Sequence, residues 1–276
     1  FGIYVNIPFR YSFCRFCPFY KHLFNETLKN HYVEKLVQEI KETDLGGKPL
    51  WIYFGGGTPN VLTIADLRKI VSTLAKKVVL HNPGIELLPA KLTKEYLKEL
   101  KNIGFSKISI GVESFSKTVN ETAKRDISDF KSISELVEYA EKLRLFVNID
   151  MMVGLEKQSS DDFMTDIKMV SDVKPSQITI YPFMIVKGLK HIASMDDEEQ
   201  FDLIEQAWQF LLAKGYSRKG PWTFTRVKGL YDSSKDELVD DYVGFGAASF
   251  STYNESKIVN PAMEVYLKNI EMGKNL

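Results

Sequence analysis

A parallel α/β fold is predicted for this chain by three observations. Six apolar, β-rich segments recur along it, helical patterns lie between most of them, and glycine and acidic residues gather where the segments end. Strand–helix alternation places strands parallel with right-handed crossovers, so the candidates are an open doubly wound sheet and a (β/α) barrel. Both put their ligands at the C-terminal ends of the strands.

The first segment, Ile3–Ile7, runs into the only two cysteines, Cys14 and Cys17. A C-x-x-C after a strand, with no second pair to complete a tetrahedral zinc site, reads as an iron–sulfur loop rather than a zinc or disulfide pair. Arg10 stands four residues before Cys14, where a C-x-x-x-C-x-x-C run would have its first thiolate. Arginine keeps its proton and offers iron no lone pair. His22, five residues past Cys17, is a candidate substitute, although a solvated loop histidine is the plainer reading. Arg10 leaves three alternatives: a natural relative with an impaired cluster, an enzyme completed by an outside ligand, or an altered copy of a three-cysteine parent.

The second segment, Leu50–Phe54, leads into Gly55-Gly56-Gly57-Thr58-Pro59, where missing Cβ atoms allow close backbone approach to a ligand or merely a tight turn. Thr63 with Asp66 then has the spacing of a helix-opening capping box, followed by Leu67, Ile70, Val71 and Leu74 at helical spacing. The third and fourth segments are Ile85–Leu88 and Lys107–Ile110, the latter leading to Glu113. Ser132 with Glu135 suggests a second capping box before Leu136, Val137, Ala140 and Leu143. The fifth and sixth segments are Phe146–Met151, carrying Asn148 and Asp150, and Gln177–Tyr181. Acidic residues inside apolar strands are costly to bury unless paired or facing a cavity, so Glu86, Glu113 and Asp150 together point to a lined cavity. From about residue 186 the alternation weakens; a helix over 195–214 and aromatic segments near Trp222–Phe224 and Tyr242–Tyr253 form a smaller C-terminal part.

Length and charge bound the function classes. The chain has 276 residues, 44% of them apolar, enough for a sizeable core, and 36 basic against 36 acidic residues. The balance argues for a small-molecule partner and against nucleic acid. No apolar run is long enough for a membrane span. Two cysteines three apart fit a reducing, cytoplasmic setting better than a secreted disulfide framework.

The blocks Y-V-N-I-P-F-x-x-x-x-C-x-F-C-P-F-Y, F-G-G-G-T-P, G-F-S-K-I-S-I-G-V-E-S-F running on to Arg125, N-I-D-M-M-V-G-L and G-F-G-A-A-S resemble the radical S-adenosylmethionine (SAM) family typified by oxygen-independent coproporphyrinogen oxidase. The C-P-F-Y variant resembles its haem-utilisation methyltransferase branch. The resemblance implies a partial (β/α)6 TIM-like barrel over residues 1–188 and a small α+β extension over 189–276. It implies a 4Fe-4S cluster on Cys14 and Cys17, with one or two molecules of SAM chelating or flanking it. It places Tyr4 and Phe16 beside the cluster and SAM, Gly56, Gly57 and Thr58 at the amino end of SAM, and Glu86 on the supporting strand. Glu113, Arg125 and Asp150 match contacts to a second SAM, with Phe250 on the far side of that pocket. The implied activity is reductive SAM cleavage acting on a tetrapyrrole, with an electron donor such as flavodoxin or ferredoxin. The alternative is a binding protein on the same fold, a haem or SAM carrier or regulator without radical chemistry. Two departures accompany Arg10: Leu87-Leu88-Pro89 makes the surroundings of Glu86 less polar, and Glu156-Lys157 replaces a Pro-Gly turn, with consequences expected only for a surface loop.

Overall fold

The computed structural model describes residues 1–126, 129–184, 192–227 and 241–274; the expected boundary at 188/189 lies outside them. In chain order the elements are β1 (Gly2–Ile7), β2 (Phe9–Arg10), β3 (His22–Leu23), α1 (Glu26–Glu42), β4 (Trp51–Gly56), α2 (Ile64–Ala75), β5 (Gly84–Leu87), α3 (Lys94–Ile103), β6 (Lys107–Glu113), α4 (Lys117–Thr122) and α5 (Phe130–Lys142). There follow β7 (Phe146–Val153), α6 (Ser160–Val173), β8 (Gln177–Pro182), α7 (Asp197–Ala213), β9 (Ser217–Arg218), β10 (Thr223–Thr225), β11 (Tyr242–Phe245), β12 (Phe250–Tyr253), β13 (Ser256–Val259) and α8 (Met263–Glu271).

All six expected strands form. β1, β4, β5, β6, β7 and β8 pair parallel in that order within one 11-stranded sheet. The two end strands of this sheet, β13 and β9, are not paired to each other, so the barrel is partial. A seventh parallel strand, β11, joins β1, while β10 and β9 continue antiparallel from β8. Elements from the C-terminal part thus extend both sides of the sheet.

Strand alternation assigns the two faces. Ile3, Val5, Ile7, Ile52, Phe54, Ile85, Ile108, Ile110, Val147, Ile149, Ile178 and Ile180 are buried in one core with Leu36, Ile70, Leu97, Val137 and Ile167 of the outer helices. The alternate residues Tyr4, Tyr53, Glu86, Ser109, Glu113, Asn148, Asp150 and Thr179 line the inner cavity. One strand pattern therefore builds the core on one set of alternate positions and the site on the other.

The Thr63 capping box forms: Asp66 N–H donates to the Thr63 hydroxyl, and the Asp66 carboxylate accepts from the Thr63 backbone. The second does not start at Ser132. Asp129 caps α5 instead, accepting from Ser132 N–H at 2.9 Å, because an acid one turn earlier satisfies that amide.

The C-terminal part is fastened by a buried acid on α1. Glu39 accepts from Gly246 N–H at 2.8 Å, the Tyr266 hydroxyl at 2.7 Å and Asn260 Nδ2 at 2.8 Å. Burial pushes its carboxyl up to about 7 despite these donors. Removing the side chain strands three buried donors. Glu39→Ala is expected to destabilise the fold by about 3 kcal/mol, read by urea unfolding; an unchanged midpoint contradicts the fastening role.

Candidate functional site

A cavity of about 850 Å³ opens inside the parallel strands, in the upper part of the range of about 300–1,000 Å³ usual for small-molecule sites. Its lining unites Tyr4, Phe16, Cys17, Gly56, Gly57, Thr58, Glu86, Glu113, Arg125 and Asp150, together with Arg10. Cys14 and Phe250 are the exceptions: Cys14 is buried without lining the cavity, and Phe250 sits half-exposed on β12.

The glycine turn is sterically required. Gly56 has φ +110°, and a Cβ there would lie 2.0 Å from Asn6 Oδ1. At Gly57 a Cβ would come within 2.6 Å of the Pro8 and Phe9 backbone. The turn is thereby pressed against the segment leading to Arg10. Gly56 N–H donates to Glu86 Oε2 at 3.2 Å. Asn60 holds both polar groups of Leu88, at 2.9 Å each, which fixes the chain beyond β5.

Glu113 closes β6 in a left-handed conformation, φ +67°, at a register shift between Gly111 and Glu113. Such backbone is costly for a non-glycine residue and re-aims its side chain. Here the carboxylate meets Arg125 at 3.1 Å. Arg125 also donates to the Gly111 carbonyl and, through Nη1, to Cys14 Sγ at 3.5 Å, and it stacks over Phe16. Beneath this pair Asp166 accepts from Ser114 Oγ at 2.6 Å and Phe115 N–H at 2.9 Å, and Asn120 holds the Ser114 carbonyl. Asp166, which carried no sequence signal, anchors the loop that aims Glu113.

Asp150 lies in mid-strand rather than at a strand end, because β7 continues to Val153. It accepts from Ser109 Oγ at 2.6 Å and Asn148 Nδ2 at 2.7 Å, while Thr179 Oγ1 donates to Asn148 Oδ1 at 2.9 Å. This ladder across three strands was not legible as a site, since Ser109 and Thr179 read as ordinary strand residues. Tyr53, Trp51, Trp222 and Tyr242 add aromatic walls.

The cysteine loop is tied down from several sides. Arg15 N–H donates to the Ala123 carbonyl at 3.0 Å, Cys17 N–H to the Cys14 carbonyl at 3.4 Å, and Lys21 to the Cys17 carbonyl. Arg15 also pairs with Glu156 at 2.8 Å. The Glu156-Lys157 departure thus reaches the cysteine loop and is not confined to a surface turn. His22 belongs to β3, its Nδ1 on the Leu23 carbonyl and its ring edge-on to Phe9.

Cys14 is buried, and Arg10 Nη2 donates to its sulfur at 3.3 Å. Two guanidiniums therefore converge on one thiol. Among the described residues no group of three or more His, Cys, Asp or Glu side chains is disposed to hold a metal ion. These residues do not fit a three-thiolate iron–sulfur cluster: the first ligand position carries a cation that hydrogen-bonds the second.

Comparison with known proteins agrees with this partial parallel barrel. The radical SAM superfamily model matches residues 9–170, more than half of the chain. The chain belongs to that superfamily. It is 23% identical to the heme chaperone HemW of Buchnera aphidicola (subspecies Acyrthosiphon pisum) over 99% of this chain and 76% of that protein. It is 26% identical to oxygen-independent coproporphyrinogen III oxidase of Escherichia coli K12 over 82% of this chain and 52% of that protein. It is 28% identical to anaerobilin synthase of Escherichia coli O157:H7, over 99% of this chain and 65% of that protein. The chain thus spans between about half and three quarters of the length of these relatives. The structure of coproporphyrinogen III oxidase HemN from E. coli superposes with a TM-score of 0.87 at 23% identity, covering 98% of this chain and 69% of that one, a likeness of fold. No helix among the described residues is long and apolar enough to cross a membrane.

Burial makes the acids of the cavity hard to ionise. Burial, then the Asp150 charge, pushes Glu86 up to about 8. Burial, then Glu113, pushes Asp150 up to about 7. Burial also raises Glu113, against the pull of Arg125 and Arg10. With folded-state values above unfolded ones, these acids favour the fold fully below about pH 4, and that stability is lost as pH climbs through 7 to 8. Between pH 6 and 9 the ligand-free protein is expected to lose melting temperature, and the double variant Glu86→Gln/Asp150→Asn to lose visibly less. Parallel melting curves contradict the assignment.

Proposed function

We propose that this chain binds a SAM-type sulfonium in the barrel cavity and a tetrapyrrole at the cavity mouth, as a binding member of its superfamily that does not cleave SAM reductively. The observation that carries the first part is the charge of the cavity. Three carboxylates, Glu86, Glu113 and Asp150, face the guanidiniums Arg10 and Arg125, while the third cation of the lining, Lys107, sits at the N-terminal start of β6 with its Nζ over the Tyr53 ring. The acids and the two guanidiniums, ionised together, leave one negative charge toward the C-terminal ends of the strands, in a pocket walled by Tyr4, Tyr53 and Phe16. SAM carries an ammonium, a sulfonium and a carboxylate, hence one net positive charge, and its adenine offers a flat face to aromatic walls. The glycine turn supplies close backbone contact that needs no iron.

Reductive cleavage is set aside because Arg10 takes the place of a cluster thiolate, and no step is routed through iron. When bound in family members, the cluster supplies the electron for that chemistry. Here the chain's own residues bind, orient and exclude water.

The tetrapyrrole rests on two supports. Relatives named as a heme chaperone and as coproporphyrinogen III oxidases match most of the chain. The mouth of the cavity carries exposed Phe19, Tyr181 and Met184, apolar surface of the kind that a flat macrocycle covers.

Calorimetry with chelator-treated protein tests the reading. SAM is expected to bind more tightly than S-adenosylhomocysteine, which has lost the sulfonium charge. Its affinity is expected to rise from pH 6 to 8 as Asp150 and Glu86 ionise. Haemin, titrated separately, is expected to shift its Soret band. Absence of SAM heat up to millimolar concentration removes the first ligand, and an unshifted Soret band removes the second.

A further inference from the structure

Arg10 is a poorly satisfied cation in a nearly closed place. It is 8% exposed, and the one hydrogen bond of its guanidinium among the described residues runs from Nη2 to Cys14 Sγ at 3.3 Å. A thiol sulfur is a weak acceptor, whereas a guanidinium presents five N–H donors in a planar fork suited to a carboxylate. The charge of Arg10 pulls against the upward shifts of Glu86 and Glu113, yet among the described residues neither acid closes an ion pair with it. Arg10 lines the cavity together with Gly56, Gly57 and Thr58, and the Gly57 backbone packs on that of residues 8 and 9.

We propose that Arg10 is the recognition residue for the α-carboxylate of an adenosyl amino acid, doing with a guanidinium what an open iron site does by chelation. The substitution thus exchanges a metal-dependent anchor for a metal-independent one. Cys14 serves as the strut that holds the fork in place. The inference rests on the binding reading above and adds the part of the ligand that this chain's own departure from its family selects.

The test is a cycle of protein variants against two ligands, run by calorimetry on the chelator-treated 276-residue chain. The ligands are SAM and decarboxylated SAM, which lacks only the carboxylate. The proteins are the wild type and Arg10→Gln, with Arg10→Lys as the conservative variant. Arg10→Gln is expected to weaken SAM by about 10- to 100-fold, the range for a charge-assisted contact. Decarboxylated SAM is expected to bind Arg10→Gln as well as the wild type or better, and Arg10→Lys to recover part of the SAM affinity. Equal changes for both ligands overturn the proposal, since Arg10 then acts only through overall pocket charge. Retained SAM affinity in Arg10→Gln overturns it as well. If decarboxylated SAM binds the wild type while SAM does not, the carboxylate role alone fails. If neither binds, the binding reading fails and takes the inference with it. Binding of decarboxylated SAM by Arg10→Gln also shows that the variant is folded.

Discussion

Four side chains from three separated parts of the chain meet at one charged junction: Glu113 on Arg125, and Arg125 and Arg10 on the Cys14 sulfur. The junction joins the end of β6, the segment after α4 and the cysteine loop, and each is also secured by hydrogen bonds outside it. Arg15 reaches the Ala123 carbonyl, and Asp166 holds Ser114 and Phe115. Removing one partner of such a buried set leaves the others uncompensated, which costs more than the contact itself contributes. The left-handed backbone at Glu113 is stored strain that this junction keeps in place.

The same junction fixes the chemistry open to the cavity. Low-dielectric surroundings make an unpaired carboxylate costly, and burial raises Glu86 and Asp150 into the neutral range. A cationic ligand relieves that cost and a neutral one does not. Specificity thus follows from what the strands leave uncompensated, with the Ser109–Asn148–Thr179 ladder holding Asp150 in one orientation. Arg10 changes the balance: it adds a positive charge where the family resemblance implies a thiolate, which is the ground for proposing recognition in place of electron transfer.

Much of this was legible in the sequence. Period-two apolar strands with acids on the alternate positions marked both the core and the inner wall, which is why Glu86, Glu113 and Asp150 were visible together. The glycine turn was ambiguous by itself; its necessity came from long-range clashes with Asn6 and Pro8. Asp166 and Thr179 stayed silent, because a lone acid on a helix and a threonine on a strand have ordinary local explanations. Strand β11 was equally hidden, since its parallel pairing with β1 joins the two ends of the chain. Phe250 lies off the cavity lining, because an aromatic residue near a motif gives no direction for its side chain. Asp129 outcompeted Ser132 as a cap through a contact that the box pattern does not contain.

The account depends most on Arg10 excluding a cluster held by Cys14 and Cys17. Iron and acid-labile sulfide, with the electron paramagnetic resonance spectrum of the dithionite-reduced sample, are measured after identical anaerobic reconstitution of the wild type and Arg10→Cys. The wild type is expected to retain little iron and no signal of a reduced 4Fe-4S cluster, and Arg10→Cys to gain both. About four irons and such a signal in the wild type, at the level of Arg10→Cys, would contradict it.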